Sequence, residues 1–181
     1  MYNEKIISDL LSEYTNLDKK VNDAAKHIES YLIDNLKPLD PDSFKSIPNE
    51  CGLYFFCYEG NFSNIDVLWK KHLKKCRNAS PFNNKKFKKC KKIENTASFP
   101  MYIGKSGDLA ERINEHWNLS NKATTKAMRL EMFLKNNSLE KNVIKFSYID
   151  LSKFGMDSNI YFLCAAFERL LKDSLSPFIG R

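Results

Sequence analysis

Eight consecutive residues, Cys51-Gly52-Leu53-Tyr54-Phe55-Phe56-Cys57-Tyr58, carry no charge and are apolar or aromatic almost throughout. So short a continuous run suits a strand buried on both faces, and it constrains the fold more than any other segment.

The other elements are read outward from this strand. SFPMYIG, residues 98–104, gives a second strand, ending at Gly104 where the chain must turn. Alternation around Val143, Lys145, Ser147 and Ile149 gives a third within residues 142–151. Residues 1–37 read as helical, because Val21, Ala24, Ala25, Ile28, Leu32 and Leu36 recur at spacings of three and four. Pro38 and Pro41 end that pattern, and KPLDPDSFKSIPNE reads as a linker. Asp108 followed by Glu111 resembles a capping box that opens a helix over DLAERINEHW. A further helix is expected over residues 123–135, closed by Asn136 and Asn137. The last, SNIYFLCAAFERLLKDSL, is apolar on most sides and should be deeply packed. The class is therefore α+β, with a helical extension over residues 1–40 and a main domain over 50–181.

The net charge of +7 is a local device. No acidic residue lies between Asp66 and Glu94, and eleven of the 29 basic residues fall there: Lys70, Lys71, Lys74, Lys75, Arg77, Lys85, Lys86, Lys88, Lys89, Lys91 and Lys92. Outside this stretch, 18 basic residues face 22 acidic ones. A basic insertion at about 60–98, with Trp69, Phe82 and Phe87 among its cations, is the footprint of a nucleic-acid backbone site; its ordinary alternative is a solvated loop that aids solubility. No run of ~18 apolar residues marks a membrane span. The N-terminus shows no export signal, and the five cysteines are odd in number and unevenly spread. A cytoplasmic protein with reduced thiols and no membrane partner is expected. His72, Cys76 and Cys90 lack a paired spacing and a fourth ligand, so zinc is not expected.

Three constellations carry chemistry. Arg112 and His116, four apart, share one helix face while Leu109 and Ile113 turn to the core. Glu168 interrupts an apolar helix, where a carboxylate needs a partner; Lys172 at i+4 is the ordinary one. Tyr54 and Tyr102 lie in strands that chain order places side by side. Singly, each has a plainer reading as solvated residues, a helical ion pair or core packing.

Together and in order they resemble the GIY-YIG endonuclease family. Gly52-Leu53-Tyr54 looks like the first tripeptide with Leu for Ile, and Tyr102-Ile103-Gly104 matches the second in full. Arg112 stands eight residues beyond Gly104, His116 four later, and a helical Glu168 is followed nine residues on by Pro177. Gly180 occupies the place of the family's Asn, and the insertion exceeds that of the minimal domain. The resemblance covers residues 51–180. It implies a small central three-stranded antiparallel sheet flanked by helices, and a metal-dependent DNA endonuclease with one Mg²⁺ or Mn²⁺ on Glu168. It also implies Tyr54 as the group that activates water beside Tyr102, Arg112 on the phosphate, His116 near the phosphate or assisting proton transfer, and Lys105 adding positive charge. Gly52, Gly104 and Gly180 would support the site. The expected partner is double-stranded DNA, with a homodimer as an option for cutting two strands. Restriction or defence is the expected setting, ahead of homing or repair; a nucleic-acid-binding module with weak catalysis is the alternative from another class.

Overall fold

The computed structural model describes residues 4–76, 79–118, 126–154 and 158–180. Arg77 and Arg181 lie outside them. The protein is α+β, with a four-stranded antiparallel sheet: β1 (Lys37–Pro38), β2 (Gly52–Tyr58), β3 (Phe99–Ser106) and β4 (Ile144–Asp150), in the order β1-β4-β2-β3. The helices are α1 (Glu4–Asp34), α2 (Ile65–Lys75), α3 (Asn84–Lys89), α4 (Leu109–Trp117), α5 (Leu130–Asn137) and α6 (Ser158–Leu175).

β2 pairs with a strand on each side and is buried at all seven positions. Its side chains alternate between two cores. Leu53, Phe55 and Cys57 meet Ala25, Ile28 and Leu32 of α1 and Cys164, Phe167 and Leu171 of α6. Tyr54, Phe56 and Tyr58 meet a second cluster that contains Ile65 and Trp69 of α2, Leu109, Ile113 and Trp117 of α4, and Leu130, Phe133 and Leu134 of α5. Helices on both faces explain why the strand has no polar alternation.

Four expectations are corrected. The sheet has a fourth strand: Lys37 pairs with Phe146 and Pro38 with Lys145 at the sheet edge, where a proline's missing N–H costs no ladder bond. The basic stretch, for which a solvated loop is the plainer alternative, folds into α2 and α3, and Trp69, read as lying among its ligand-facing cations, is fully buried and donates from its indole to the Ser80 carbonyl at 3.0 Å. Phe82 and Phe87, partly buried, pack against the same core. The helix expected from residue 123 begins only at Leu130, because Ala127 pairs with Ala79 and Arg129 takes a left-handed φ of 58°; residues 119–125 lie outside the described set. Finally, α6 buries one face only: Tyr161, Phe162 and Leu163 are 47%, 72% and 42% exposed, since the sheet covers a single side. No helix among the described residues is long and apolar enough to cross a membrane.

β3 is the edge strand, and its free side is lined by the segment after α6. The Ile179 N–H donates to Met101 O at 2.9 Å, and the Gly180 N–H to Pro81 O at 2.8 Å. Ser80 N–H in turn reaches Ala127 O at 2.9 Å. Residues 79–83 and 126–128 thus extend the sheet beyond β3 and fold over the end of α4.

Candidate active site

The site begins at the β2/β3 pairing. Tyr54 lies opposite Gly104 and Phe56 opposite Tyr102, while Cys57 pairs with Pro100, so Met101 is an extra residue in β3. A bulge of this kind re-aims neighbouring side chains. The Tyr102 ring stacks on Tyr54 with centroids 6.0 Å apart and planes 16° apart. Only glycine permits this approach: a Cβ on Gly104 would fall 2.3 Å from the Tyr54 hydroxyl. Gly52 serves the other side of β2, where a Cβ would fall 2.1 Å from Ile149 O.

α4 delivers the next two groups. Asp108 caps it, its Oδ1 accepting from the Glu111 N–H at 2.8 Å, and Leu109 and Ile113 turn into the core as the spacing predicts. That rotation carries Arg112 and His116 to Tyr54. His116 Nε2 lies 3.0 Å and Arg112 Nε 3.4 Å from the Tyr54 hydroxyl oxygen. His116 Nδ1 accepts the Met128 backbone N–H at 3.0 Å. Burial, with Arg112 and Arg129 nearby, holds the imidazole pKa well below its ordinary value, so the ring is neutral and its one proton must sit on Nε2. The Tyr54 oxygen therefore receives two N–H donors.

Two influences oppose each other at that oxygen. Burial, with the Tyr102 phenol beside it, pushes the Tyr54 pKa well up, while the Arg112 guanidinium pulls it down. Arg112 itself stays charged. Burial disfavours its charge, but Tyr54 and Glu115 more than compensate. Its remaining donors reach Glu115 and, at 2.9 Å, the Lys126 carbonyl.

Tyr54, Tyr102, Arg112 and His116 are thus in one cluster. Glu168 is not in contact with them. α6 covers the opposite face of the sheet from α4 and lies mainly over β3. Lys105 Nζ sits 3.4 Å over the Tyr161 ring at one end, and Pro100 shares a cavity wall with Leu175 at the other. With rises of about 1.5 Å and 3.3 Å per residue, this antiparallel arrangement sets Glu168 level with the Tyr102–Ile103 step. Its Oε1 pairs with Lys172 Nζ at 2.6 Å, the ordinary alternative. Lys105 pairs across to Leu53 and so points to the α6 face, away from Tyr54. Gly180 touches Tyr102 from the far side: it has φ of 101°, and a Cβ there would fall 3.3 Å from the ring. Gly180 thus holds a backbone conformation that L side chains rarely adopt.

Glu168 offers one carboxylate, and no group of three or more His, Cys, Asp or Glu is gathered among the described residues. A single carboxylate already paired with Lys172 is not a formed metal site; only a hard cation that keeps most of its water shell could use so few protein ligands. His72 is instead structural, its Nε2 donating to Met128 O at 2.9 Å.

Of the cations on the basic stretch, Lys71, Lys74, Lys75, Lys85, Lys88, Lys89, Lys91 and Lys92 are exposed. Lys70 pairs with Asp66 at 3.1 Å, and Lys86 donates to the Lys172 carbonyl at 3.3 Å. Sequence reasoning missed Glu115, whose i+3 spacing from Arg112 was a readable signal. It also missed the backbone groups of Lys126 and Met128, for which no side-chain pattern exists. No family model, curated protein or solved structure matches the chain.

Proposed function

We propose that this chain is a divalent-metal-dependent DNA endonuclease of the GIY-YIG type, acting in restriction or defence. The observation that carries the reading is the Tyr54 oxygen, which accepts from both His116 and Arg112 beneath the ring of Tyr102. Two donors converging on one phenol offset part of the burial that on balance raises its pKa, and so favour its phenolate, the form able to take a proton from an attacking water. In the bound state Arg112 exchanges Glu115 and the Lys126 carbonyl for phosphate oxygens, as a planar fork suits. His116 holds Tyr54 by donation rather than by accepting the water's proton. By the family resemblance Glu168 is the residue that would hold one Mg²⁺ or Mn²⁺ to supply positive charge to the phosphoryl group, although it lies on the α6 face of the sheet and pairs with Lys172. Lysines of α2 and α3 bind the backbone of double-stranded DNA.

A homodimer accounts for cutting two strands. Ile7, Leu11, Tyr14 and Leu17 form an exposed stripe on the first half of α1 that continues the buried face of its second half. A second reading, a nucleic-acid-binding module with weak catalysis, is favoured by the neutralisation of Glu168 by Lys172 and by the burial of Tyr54. Supercoiled-plasmid cleavage with Mg²⁺ or Mn²⁺ separates the two. The nuclease predicts nicking or linearisation that EDTA, Glu168→Ala and Arg112→Ala each abolish. Binding without cleavage under either metal supports the module instead. Discrete fragments identify a site-specific enzyme, whereas cleavage confined to branched DNA identifies a repair role.

A further inference from the structure

Cys51, at the entry to β2, and Cys164, on the buried face of α6, bring their sulfur atoms to 3.7 Å across 113 residues of sequence. A disulfide requires about 2.05 Å, so closure needs a shift of less than ~2 Å. β2 cannot supply it: the strand is paired on both sides and Gly52 is pressed against Ile149 O. α6 can. Its early residues Tyr161, Phe162 and Leu163 are exposed, and a cavity of about 510 Å³, lined by Ile28, Tyr31, Leu163 and Phe167 among others, opens beside its seam with α1.

We propose that Cys51 and Cys164 form a dithiol that a low-molecular-weight disulfide oxidises reversibly, stapling α6 to β2. The Cys51 thiolate attacks one sulfur of the small disulfide, forming a mixed disulfide and releasing one thiol. The Cys164 thiolate then attacks the Cys51 sulfur and expels the second thiol. Two protein thiols are oxidised, one small disulfide is reduced, and two protons pass to the released thiols. The order follows from access. Cys51 is half-buried, whereas Cys164 is fully enclosed and burial pushes its thiol pKa up. The staple sits one helical turn before Glu168, so oxidation displaces the helix that carries this carboxylate.

The test incubates the full chain with oxidised glutathione, traps free thiols with N-ethylmaleimide, and maps peptides by mass spectrometry. The expected product has lost two hydrogen atoms, joins the Cys51 and Cys164 peptides, and melts several degrees higher until dithiothreitol reverses it. Cys51→Ser and Cys164→Ser each remove the cross-link. Cys90→Ser, which leaves the pair intact, retains it. A cross-link between Cys57 and Cys90, a cross-link persisting in Cys51→Ser, or a glutathione adduct on Cys51 that never closes overturns the proposal.

Discussion

His116 donates to Tyr54 rather than accepting from it: Nε2 stands 3.0 Å from the phenol oxygen, and Nδ1 is already committed to the Met128 N–H. The direction of this one bond decides which side chain takes up a proton in the proposed reaction. It assigns the accepting role to the phenol oxygen and a holding role to the imidazole.

Removing that oxygen is the sharpest test. Tyr54→Phe is expected to lower plasmid cleavage by a factor on the order of 100 or more. It also leaves the His116 Nε2–H and the Arg112 Nε–H without their acceptor, at a cost of about 1–3 kcal/mol in urea unfolding. A folded Tyr54→Phe protein that cleaves at the wild-type rate excludes Tyr54 as the proton acceptor.

Acid should destabilise the fold before carboxylates protonate. Burial lowers the pKa of both His116 and His72 in the folded chain. Below the ordinary value near 6.5 the unfolded chain therefore binds more protons, so stability is fully present above that pH and is lost as pH falls through it. The expected slope just below pH 6.5 approaches about 1.4 kcal/mol per pH unit for His116, with a further contribution of the same sign from His72. A urea midpoint that stays flat over this window contradicts the neutral, buried state of both rings.

Placing an asparagine at residue 180, as the proposed family resemblance would have it, should harm the protein. Gly180→Asn forces a side chain onto φ of 101° and a Cβ to 3.3 Å from the Tyr102 ring. The expected cost is roughly 1–3 kcal/mol in thermal or urea unfolding, with no gain in cleavage. A stable and faster Gly180→Asn variant would show that the backbone here does not require glycine.

On α2, the exposed and the buried side chains should behave oppositely. Lys71→Ala, Lys74→Ala and Lys75→Ala together are expected to weaken DNA binding and to flatten its logarithmic salt dependence by about one unit for each phosphate no longer neutralised. Trp69→Ala should instead cost about 3–5 kcal/mol of stability. Unchanged salt dependence in the triple variant removes α2 from the interface.

What the sequence made legible was whatever depends on period and local chemistry. β2 follows from its continuous apolar run, β3 from the run ending at Gly104, β4 from alternation, the Asp108 cap and the inward turn of Leu109 and Ile113 from helix spacing, and the meeting of Tyr54 with Tyr102 from chain order. The two-residue strand β1 was not legible, because Lys37 and Pro38 pair through β4 and carry no pattern of their own. The delayed start of α5 was hidden for a related reason. Ala127 and Met128 have high helix propensity, but their backbone groups are claimed by Ala79 and His116. The Lys-rich stretch misled in another way, since its charge count concealed that Trp69, Phe82 and Phe87 recur on an inner face. Lys105 was assigned to the site from its neighbour Gly104, yet strand alternation sends it to the other side of the sheet.

Met128 is gripped from both sides: its N–H goes to His116 and its carbonyl receives from His72, which belongs to the lysine-bearing α2. Each imidazole thereby fixes its tautomer through the same residue's main chain. A load placed on α2, such as phosphates drawn to its lysines, is transmitted through two hydrogen bonds to the ring that orients Tyr54. Under the proposed function, grip on a polyanion and the poise of the phenol would meet at a single methionine backbone.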